Sequence, residues 1–563
     1  MKEKILAALN AGDLEHAVQL CKEACKARPD DVDCHLLGAY IETQRGNFPA
    51  AISSCKQALQ LAPSTLDAQR LLGYAYHAVG QYQEALDCYR GVLQVRPDDV
   101  QVHNNLGNTW LALGNTDEAI LCYTRAVELN PRFADALNNL GIAHSRAGDR
   151  MRALDCFRSA LEVEPGFAPA RANIGDLLLT GGDTDGAIEN YRLSLRSDPG
   201  SIHAISGLAK ALVAQGRSEE ALQQYRTIIE IRPDSPDIWF AMANINGKLD
   251  RYDRAVFCYQ KAIEYDPDFI QALTNLGATL NMCGRYEQAI RPLEKAVALN
   301  PASIHANFNL ANAWRALGDR DQAGSYYERT LELDPDHAEA KYQLSVIRGE
   351  PAPDRPPAEY VATLFDQYAG HFDEHLTGRL EYRTPEMLHA ELRRFLTTDA
   401  HDLLVLDLGC GTGLFGPYVR DVSRKLVGVD LSARMVEKAR EKGIYDELHV
   451  ADIVELMKTL EEAFDVVVAA DVFPYLGDLA ETFTACHARL SDNGLLAFSV
   501  EADETQAAFS RRQSGRYAHA SDYITSSLGK CGFEVCSISR TMLRKDNDQP
   551  IDGYLVIARA RGQ

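Results

Sequence analysis

The stretch Asp407-Leu-Gly-Cys-Gly-Thr-Gly413 decides the fold of the C-terminal part of the chain. It closes an apolar run, Leu403–Leu408, which is typical of a buried strand. Its glycines allow a tight turn and a close backbone approach to a ligand. A second apolar run ends in Gly428-Val-Asp430, and this aspartate can accept hydrogen bonds from both hydroxyls of a ribose. The two segments together predict a nucleotide-binding turn.

Around this turn, β-rich runs alternate with helical stretches. The runs cover residues 403–408, 425–429, 447–450, 465–470, 494–500, 533–539 and 554–558. Such alternation predicts a doubly wound, mostly parallel α/β sheet of seven strands. Ligands of these sheets bind beyond the carboxyl ends of the strands, at the point where the strand order reverses.

A glycine turn followed by an acidic residue also occurs in NAD-binding enzymes, whose fingerprint requires a small residue where Leu414 stands. The Gly-x-Gly-x-Gly form, with Asp407 two residues before it, instead resembles motif I of the class I methyltransferases. Val450-Ala-Asp452-Ile and the run 464–473, which contains Asp471, resemble later motifs of that family in order and spacing. The resemblance implies a Rossmann-like, seven-stranded methyltransferase domain.

The same resemblance implies S-adenosyl-L-methionine as the cofactor and no metal. Asp407 and the Gly409 turn are expected to hold the methionine portion, Asp430 the ribose, and Asp452 with the Ile453 N–H the adenine. Segment 471–475 is expected under the activated methyl group. The predicted cofactor residues are Asp407, Gly409, Cys410, Gly411, Asp430, Leu431, Asp452, Ile453, Asp471 and Tyr382.

Two further segments resemble the lid of bacterial methyltransferases that are linked to tetratricopeptide (TPR) repeats. One runs from Phe365 to Asp373 and on to Tyr382-Arg-Thr-Pro385, and the other is Ser514-Gly-Arg-Tyr-Ala-His519. In that family the lid covers the cofactor, so Tyr368, Tyr382 and Arg383 are cofactor or substrate candidates, with ordinary packing as the alternative. Aromatic rings in a lid can face a sulfonium by cation–π attraction.

The acceptor atom is constrained by what stands after the fourth strand. The amide-methylating signature Asn-Pro-Pro-Tyr is replaced by Asp471-Val-Phe-Pro-Tyr475, which argues against adenine, cytosine and glutamine-amide targets. His519, Tyr517 and Asp471 are the catalytic candidates, with Glu501 as a further possible base. Structural roles are the alternatives, including a helix N-cap for Asp471.

The N-terminal part is one repeat. Prolines stand every 34 residues, at 29, 63, 97, 131, 165, 199, 233, 267, 301 and 335, and an alanine precedes each at a constant distance, from Ala17 to Ala323. This period is the TPR signature, in which each unit is a pair of antiparallel helices. Units that cannot bury their own apolar face stack into a solenoid. We therefore predict an all-α superhelix of ten TPR repeats with a capping helix.

An asparagine recurs on the first helix of several repeats, which lines the concave face in TPR proteins. An amide both donates and accepts, so a row of them can hold an extended peptide backbone. The alternative is that asparagine is merely common at this repeat position, and Gly207 and Ala241 interrupt the row. The predicted peptide-binding residues are Asn105, Asn139, Asn173, Asn275 and Asn309.

The domains are predicted as a TPR solenoid over residues 1–348, a proline-rich linker over 349–357 and a methyltransferase domain over 358–563. The formal charge of −22 repels phosphate backbones, so nucleic acid is not expected as a partner. Apolar runs are too short for a membrane span. The 13 cysteines lack a Cys-x-x-Cys pair, which favours buried thiols and a reducing, cytoplasmic compartment.

The sequence is compatible with three functions. The first is a methyltransferase whose superhelix recruits a protein or extended peptide for methylation. The second is a small-molecule or glycan methyltransferase whose repeats serve assembly. The third is a non-catalytic scaffold, against which the intact glycine and aspartate positions speak.

Overall fold

The computed structural model describes residues 2–350, 355–369, 372–374, 382–396, 401–504, 508–512, 514–546 and 549–562. Contacts divide the chain into two compact units, residues 1–234 and 235–563.

The first unit consists of helices that pack against their neighbours in sequence. The bounds of α1 to α14 are Lys2–Asn10, Leu14–Ala27, Val32–Gln44, Phe48–Leu61, Leu66–Ala78, Tyr82–Val95, Val100–Ala112, Thr116–Leu129, Ala134–Arg146, Arg150–Val163, Ala168–Thr180, Thr184–Ser197, Ile202–Ala214 and Ser218–Ile231. Each repeat predicted from the sequence therefore corresponds to one pair of helices.

Small residues occur where the two helices of a pair approach closely. A Cβ atom added to Gly141 would lie 2.5 Å from the Phe157 ring, and one added to Gly107 would lie 2.6 Å from the Tyr123 ring. The alanines of the second helices, such as Ala119 and Ala153, are fully buried. Close packing of this kind explains why the repeat keeps small residues at fixed positions.

The second unit begins with further helices of the same type. The bounds of α15 to α21 are Pro236–Lys248, Tyr252–Tyr265, Ile270–Met282, Tyr286–Leu299, Ile304–Ala316, Arg320–Leu333 and Ala338–Arg348. Helix α21 ends at Gly349, whose φ of 66° is the left-handed conformation that terminates helices. Of the predicted linker, residues 351–354 lie outside the described residues, and α22 (Ala358–Tyr368) begins directly after it.

The rest of the unit is α/β. Two helices, α23 (Phe372–Glu374) and α24 (Thr384–Arg393), precede the strands, and α25 to α29 span Gly416–Val419, Ala433–Glu441, Ile453–Thr459, Ala480–Arg489 and Ser521–Lys530. The bounds of β1 to β9 are Leu403–Leu408, Ser423–Asp430, Glu447–Val450, Phe464–Ala469, Leu490–Ala502, Phe509–Arg511, Tyr517–His519, Phe533–Asp546 and Gln549–Ala560.

These strands form one mostly parallel sheet. Its order is β3-β2-β1-β4-β5-β7-β6, and β9 pairs antiparallel with both β5 and β8. The sheet separates two apolar clusters, one around Leu406, Val467 and Phe498 and one around Val405, Val466 and Ile557. Neighbouring residues of one strand thus enter opposite clusters, as expected for a sheet covered on both faces.

The architecture confirms the predicted fold class, a helical TPR region followed by an α/β domain with a mostly parallel sheet. The prediction missed β6 and β7, each of three residues, because runs this short carry too little periodicity to be recognised. Among the described residues, no helix combines the length and apolarity needed to cross a bilayer.

Candidate active site

A cavity of about 370 Å³ lies at the carboxyl ends of the central strands. All ten residues that the sequence predicts for the cofactor line it. Four of their carboxylates come from the ends of four successive parallel strands: Asp407 from β1, Asp430 from β2, Asp452 after β3 and Asp471 after β4. The sheet topology therefore brings together residues that lie far apart in sequence.

The turn after β1 depends on its glycines. Gly409, Gly411 and Gly413 have φ angles of 62°, 53° and 84°, the left-handed region that favours glycine. A Cβ atom on Gly409 would also lie 2.5 Å from Val472 Cγ2. This turn can therefore approach the segment after β4 only because residue 409 lacks a side chain.

The Asp430 carboxylate is fixed by backbone N–H groups. Its Oδ2 accepts a hydrogen bond from Gly411 N at 2.9 Å, and its Oδ1 accepts one from Ser432 N at 2.8 Å. Burial raises the pKa of this carboxyl above its ordinary value, and these two N–H groups oppose the shift. The side chain is thus held rigidly against the glycine turn.

Asp407 is almost completely buried beneath the turn. Its Oδ2 accepts a hydrogen bond from Tyr445 Oη at 2.6 Å. Burial raises the pKa of the Asp407 carboxyl to about 7, although the Tyr445 hydrogen bond favours the charged form. This carboxylate can therefore change its charge near neutral pH.

Asp452 also begins a helix. Its Oδ1 accepts from the N–H groups of Val454 (2.9 Å) and Glu455 (3.2 Å), so it is the N-cap of α27. Its Oδ2 lies 3.4 Å from Arg355 Nη1. The role predicted from the sequence, contact with an adenine, would have to use this second oxygen.

Four charged side chains meet at one wall of the cavity. Asp471 Oδ1 accepts from Arg516 Nη2 at 2.6 Å and from Arg544 Nη1 at 3.3 Å. Glu501 Oε1 lies 2.7 Å from both Arg516 Nε and Arg544 Nη2. Arg516 also donates from Nη1 to Tyr475 Oη at 2.9 Å. The carboxylate of Asp471 is therefore an ion-pair partner in the cavity, rather than the helix cap that the sequence left open.

The sequence reasoning missed both arginines as site residues. Arg516 stands in the quoted segment 514–519, where its charge beside glycine was an available signal. Arg544 lies in β8 and carried no local signal, because its approach to Asp471 and Glu501 depends on how β8 packs onto the sheet through β9.

The predicted lid contributes in part. Tyr382, Phe365 and Phe372 line the cavity, and burial raises the pKa of the Tyr382 hydroxyl. Arg383 is exposed and pairs with Glu386 at 2.9 Å. The side chain of Tyr368, and residues 370–371 and 375–381, lie outside the described residues.

The prediction for His519 and Tyr517 requires correction. Both side chains are completely buried in β7, and among the described residues neither lines the cavity. His519 Nε2 lies 2.9 Å from the carbonyl oxygen of Gly477, and burial lowers the pKa of its imidazole to about 4. An imidazole with so low a pKa and without access to the cavity is poorly suited to accept a proton there.

The asparagines of the row form hydrogen bonds with other residues of the repeat region. In the first unit, Asn139 donates to Asn104 Oδ1 (3.0 Å) and Asn173 donates to Asn138 Oδ1 (2.8 Å). In the second, Asn275 donates to Asn244 Oδ1 (3.3 Å) and Asn309 to the His305 carbonyl (2.8 Å). Asn105, like the others, is half-buried. Three of these amides therefore already join adjacent repeats.

Comparisons with known proteins agree with the two-part fold. A family described as "Methyltransferase domain" matches residues 406–496. Tetratricopeptide-repeat families match residues 2–65, 36–93, 73–114, 100–133, 138–202, 178–245, 236–269, 258–291 and 284–344.

Curated relatives resemble the C-terminal part. A malonyl-[acyl-carrier protein] O-methyltransferase of Enterobacter lignolyticus is 31% identical over 147 residues, which are 26% of this chain and 55% of the relative. Human methyltransferase-like protein 27 is 31% identical over 127 residues, 22% of this chain and 49% of the relative. The chain thus spans about half the length of the curated relatives it matches.

Among solved structures, a tetratricopeptide repeat protein from Parabacteroides merdae matches 44% of this chain and 98% of its own, with 20% identity and a TM-score of 0.37. The family matches and the site together define a repeat protein with a methyltransferase domain. The chain therefore combines tetratricopeptide repeats with a domain that resembles methyltransferases.

Proposed function

We propose that the chain transfers methyl groups from S-adenosylmethionine and that its repeats recruit a protein or peptide substrate. Methyl transfer is supported by the cavity, where the glycine turn and four strand-end carboxylates converge. Intact carboxylates at all four positions speak against a decayed, non-catalytic scaffold.

The cavity has the chemistry that this cofactor requires. The Asp430 carboxylate would hold the ribose hydroxyls, and Asp407 would face the cationic methionine portion beside the glycine turn. Leu431 and Ile453 supply apolar walls for an adenine ring. When bound, the cofactor supplies an electrophilic methyl group on a sulfonium, and the cavity residues orient that group.

The cavity lining combines apolar side chains with an ion pair. Val361, Leu364 and Phe365 of α22 line the cavity, as do the ion-paired Asp471 and Arg516. Orientation of two reactants in a dry site is a large source of rate in group transfer.

A carboxylate acceptor is one specific candidate within this proposal. It needs no proton removed before attack, and among the described residues that line the cavity there is no histidine. The relative from Enterobacter lignolyticus is named for O-methylation of a malonyl group on a carrier protein. A protein-bound carboxylic acid is therefore a substrate class to test alongside peptides, and a small molecule or glycan remains the alternative.

Recruitment by the repeats rests on the asparagine row. An amide has two N–H groups, and the bond from Asn173 to Asn138 uses one of them. The second N–H and the amide oxygen are the groups that would contact a peptide backbone, at about 1 kcal/mol net for each bond.

Cofactor binding is tested by calorimetry with S-adenosylhomocysteine, the demethylated cofactor. We expect saturable binding by the full chain and at least roughly tenfold weaker binding by Asp430→Ala, because both ribose acceptors are lost. Asp421→Ala, an exposed aspartate outside the cavity lining, is the matched control. No heat of binding with the native chain would overturn the proposed cofactor.

Substrate class is tested by incubating the chain with methyl-labelled cofactor and cell extract. We expect label in the protein fraction, and treatment with mild base separates carboxyl esters from stable methyl groups. Label found only in small molecules would reject recruitment of a polypeptide.

A further inference from the structure

The hairpin of β6 and β7 is held at its tip by the last helix of the repeats. Tyr342, on α21, donates from Oη to the carbonyl oxygen of Gly515 at 2.7 Å, and both residues are buried. Gly515 has a φ of 82°, and its N–H donates to the carbonyl of Arg512 at 2.9 Å. Tyr342 thus adds an anchor from α21 to a turn that its own backbone bond also closes.

The first strand of the hairpin is anchored to the same helix. Arg511 donates from Nη1 to Ser345 Oγ at 3.1 Å, and from Nη2 to the carbonyl of Ser345 at 3.1 Å and that of Glu350 at 2.8 Å. Its guanidinium also lies over the Tyr342 ring, 5.5 Å from the ring centroid. Helix α21 and the residues after it therefore hold the hairpin at two points.

Arg516 follows Gly515 directly in the chain, and its side chain lines the cavity. Besides its bonds to Asp471 and Glu501, its guanidinium lies over the Tyr475 ring at 4.8 Å. The side chain is only 15% exposed. Because the Gly515 carbonyl belongs to the peptide bond that joins Gly515 to Arg516, the backbone position of Arg516 depends on the bond from Tyr342.

Apolar packing runs along the same route. The rings of Tyr342 and Tyr360 lie 5.1 Å apart, and both belong to a buried cluster that includes Val361 and contacts Phe365 and Tyr475. Val361 of this cluster lines the cavity, as do Phe365 and Tyr475, which pack against the cluster. The repeats and the cavity wall are therefore parts of one packed surface within residues 235–563.

The hairpin is short, and only its second strand, β7, is fully buried. Strands β6 and β7 have three residues each, and β7 pairs with β5 only through Glu501 and Ala502 among the described residues. Hairpins of this length are marginally stable by themselves in water, so the contacts from α21 add to those that the buried β7 makes with the sheet.

We propose that the repeats complete the methyltransferase cavity, with Tyr342 as the positioning residue that holds Arg516 in the cavity wall. The role given to the cavity rests on the proposed function. The anchoring of the hairpin by Tyr342 does not depend on it. The last repeat helix thereby has a part in the site that is separate from substrate recruitment.

The test compares full-length variants in a double-mutant cycle. Tyr342→Phe keeps the ring and removes the hydroxyl, and Arg516→Lys keeps the charge and removes the forked contacts. Tyr191→Phe, which removes the bond from Tyr191 Oη to Asp176 within residues 1–234, is the matched control. Two properties are measured: hydrogen exchange of residues 509–519 with saturating S-adenosylhomocysteine, and methyl transfer into cell extract.

We expect Tyr342→Phe to speed exchange in the hairpin and to slow methyl transfer about three- to tenfold, the effect of one lost hydrogen bond. In the Arg516→Lys background it should slow transfer by less than about twofold, because both changes act on the same group. Tyr191→Phe should leave both properties unchanged.

Hairpin exchange in Tyr342→Phe equal to that of the native chain would overturn the positioning role. So would effects of Tyr342→Phe and Arg516→Lys on methyl transfer that simply multiply in the double variant. If the native chain binds no S-adenosylhomocysteine, the proposed function fails instead. Hairpin exchange measured without ligand then still decides whether Tyr342 anchors the hairpin.

Discussion

At the scale of single residues, the site depends on a few side chains whose surroundings change their chemistry. Asp407 and His519 are both deeply buried, yet the consequences differ. Burial raises the pKa of Asp407 to about 7 and lowers that of His519 to about 4, because it disfavours the charged form of each. Asp407 lines the cavity, so its ionisation bears on ligand binding.

We predict that affinity for S-adenosylmethionine rises with pH. A raised carboxyl pKa means that Asp407 is largely protonated below about pH 6 and ionised above about pH 8, and only the ionised form attracts a cation. Affinity should increase about tenfold across this range, measured by calorimetry in matched ionic strength. Asp407→Asn should remove most of the increase, and an unchanged pH profile in this variant would contradict the assignment.

We also predict that Gly409→Ala abolishes detectable cofactor binding, since the added methyl would meet Val472 at 2.5 Å in a left-handed backbone. Gly443→Ala is the control, because Gly443 has a similar φ of 64° but no atom within 4 Å of the added carbon. The control should cost only about 1 kcal/mol of stability in thermal unfolding. Equal loss of binding in both variants would show that backbone strain, and not the close approach, is responsible.

At the scale of elements, the asparagine row has two possible roles that one pair of variants separates. Asn173→Ala removes a candidate peptide contact and the bond to Asn138, whereas Asn138→Ala breaks the same bond and keeps Asn173. If the row binds peptide, methyl transfer to protein should fall several-fold in Asn173→Ala and little in Asn138→Ala. If the two variants transfer methyl groups equally well and lose the same amount of thermal stability, the asparagines only join adjacent repeats and do not bind peptide.

The strands that were predicted correctly are those with a recognisable local sequence pattern. Strands β1 and β4 are almost entirely apolar, and β2 contains the apolar run 426–429, which is the pattern of a sheet buried on both faces. The hairpin β6–β7 is different, because its position is set by α21 and β5, which lie far away in sequence. Local periodicity could not have indicated it.

At the scale of the whole molecule, charge limits the choice of partner. The chain carries 80 acidic and 58 basic residues. We predict no binding to duplex DNA or RNA at physiological salt, since phosphate backbones are repelled by a net negative surface. Fluorescence anisotropy with labelled duplexes tests this, and salt-sensitive binding in the micromolar range would contradict it.

The amino-acid sequence by itself determined the kind of structure this chain forms. A 34-residue period of prolines and small residues specifies helix pairs, and the glycine turn with Asp407, Asp430 and Asp452 specifies the site of the α/β domain. These signals are readable because each is a local steric or hydrogen-bonding requirement repeated at fixed spacing.

Only the tertiary structure decided which other groups enter the cavity. It buried His519 in the core, brought Arg544 from β8 to Asp471, and placed Arg516 next to Gly515, whose carbonyl accepts a hydrogen bond from Tyr342. The physical reason is that side-chain approach across strands and helices depends on packing between distant segments. No spacing along the chain records that packing.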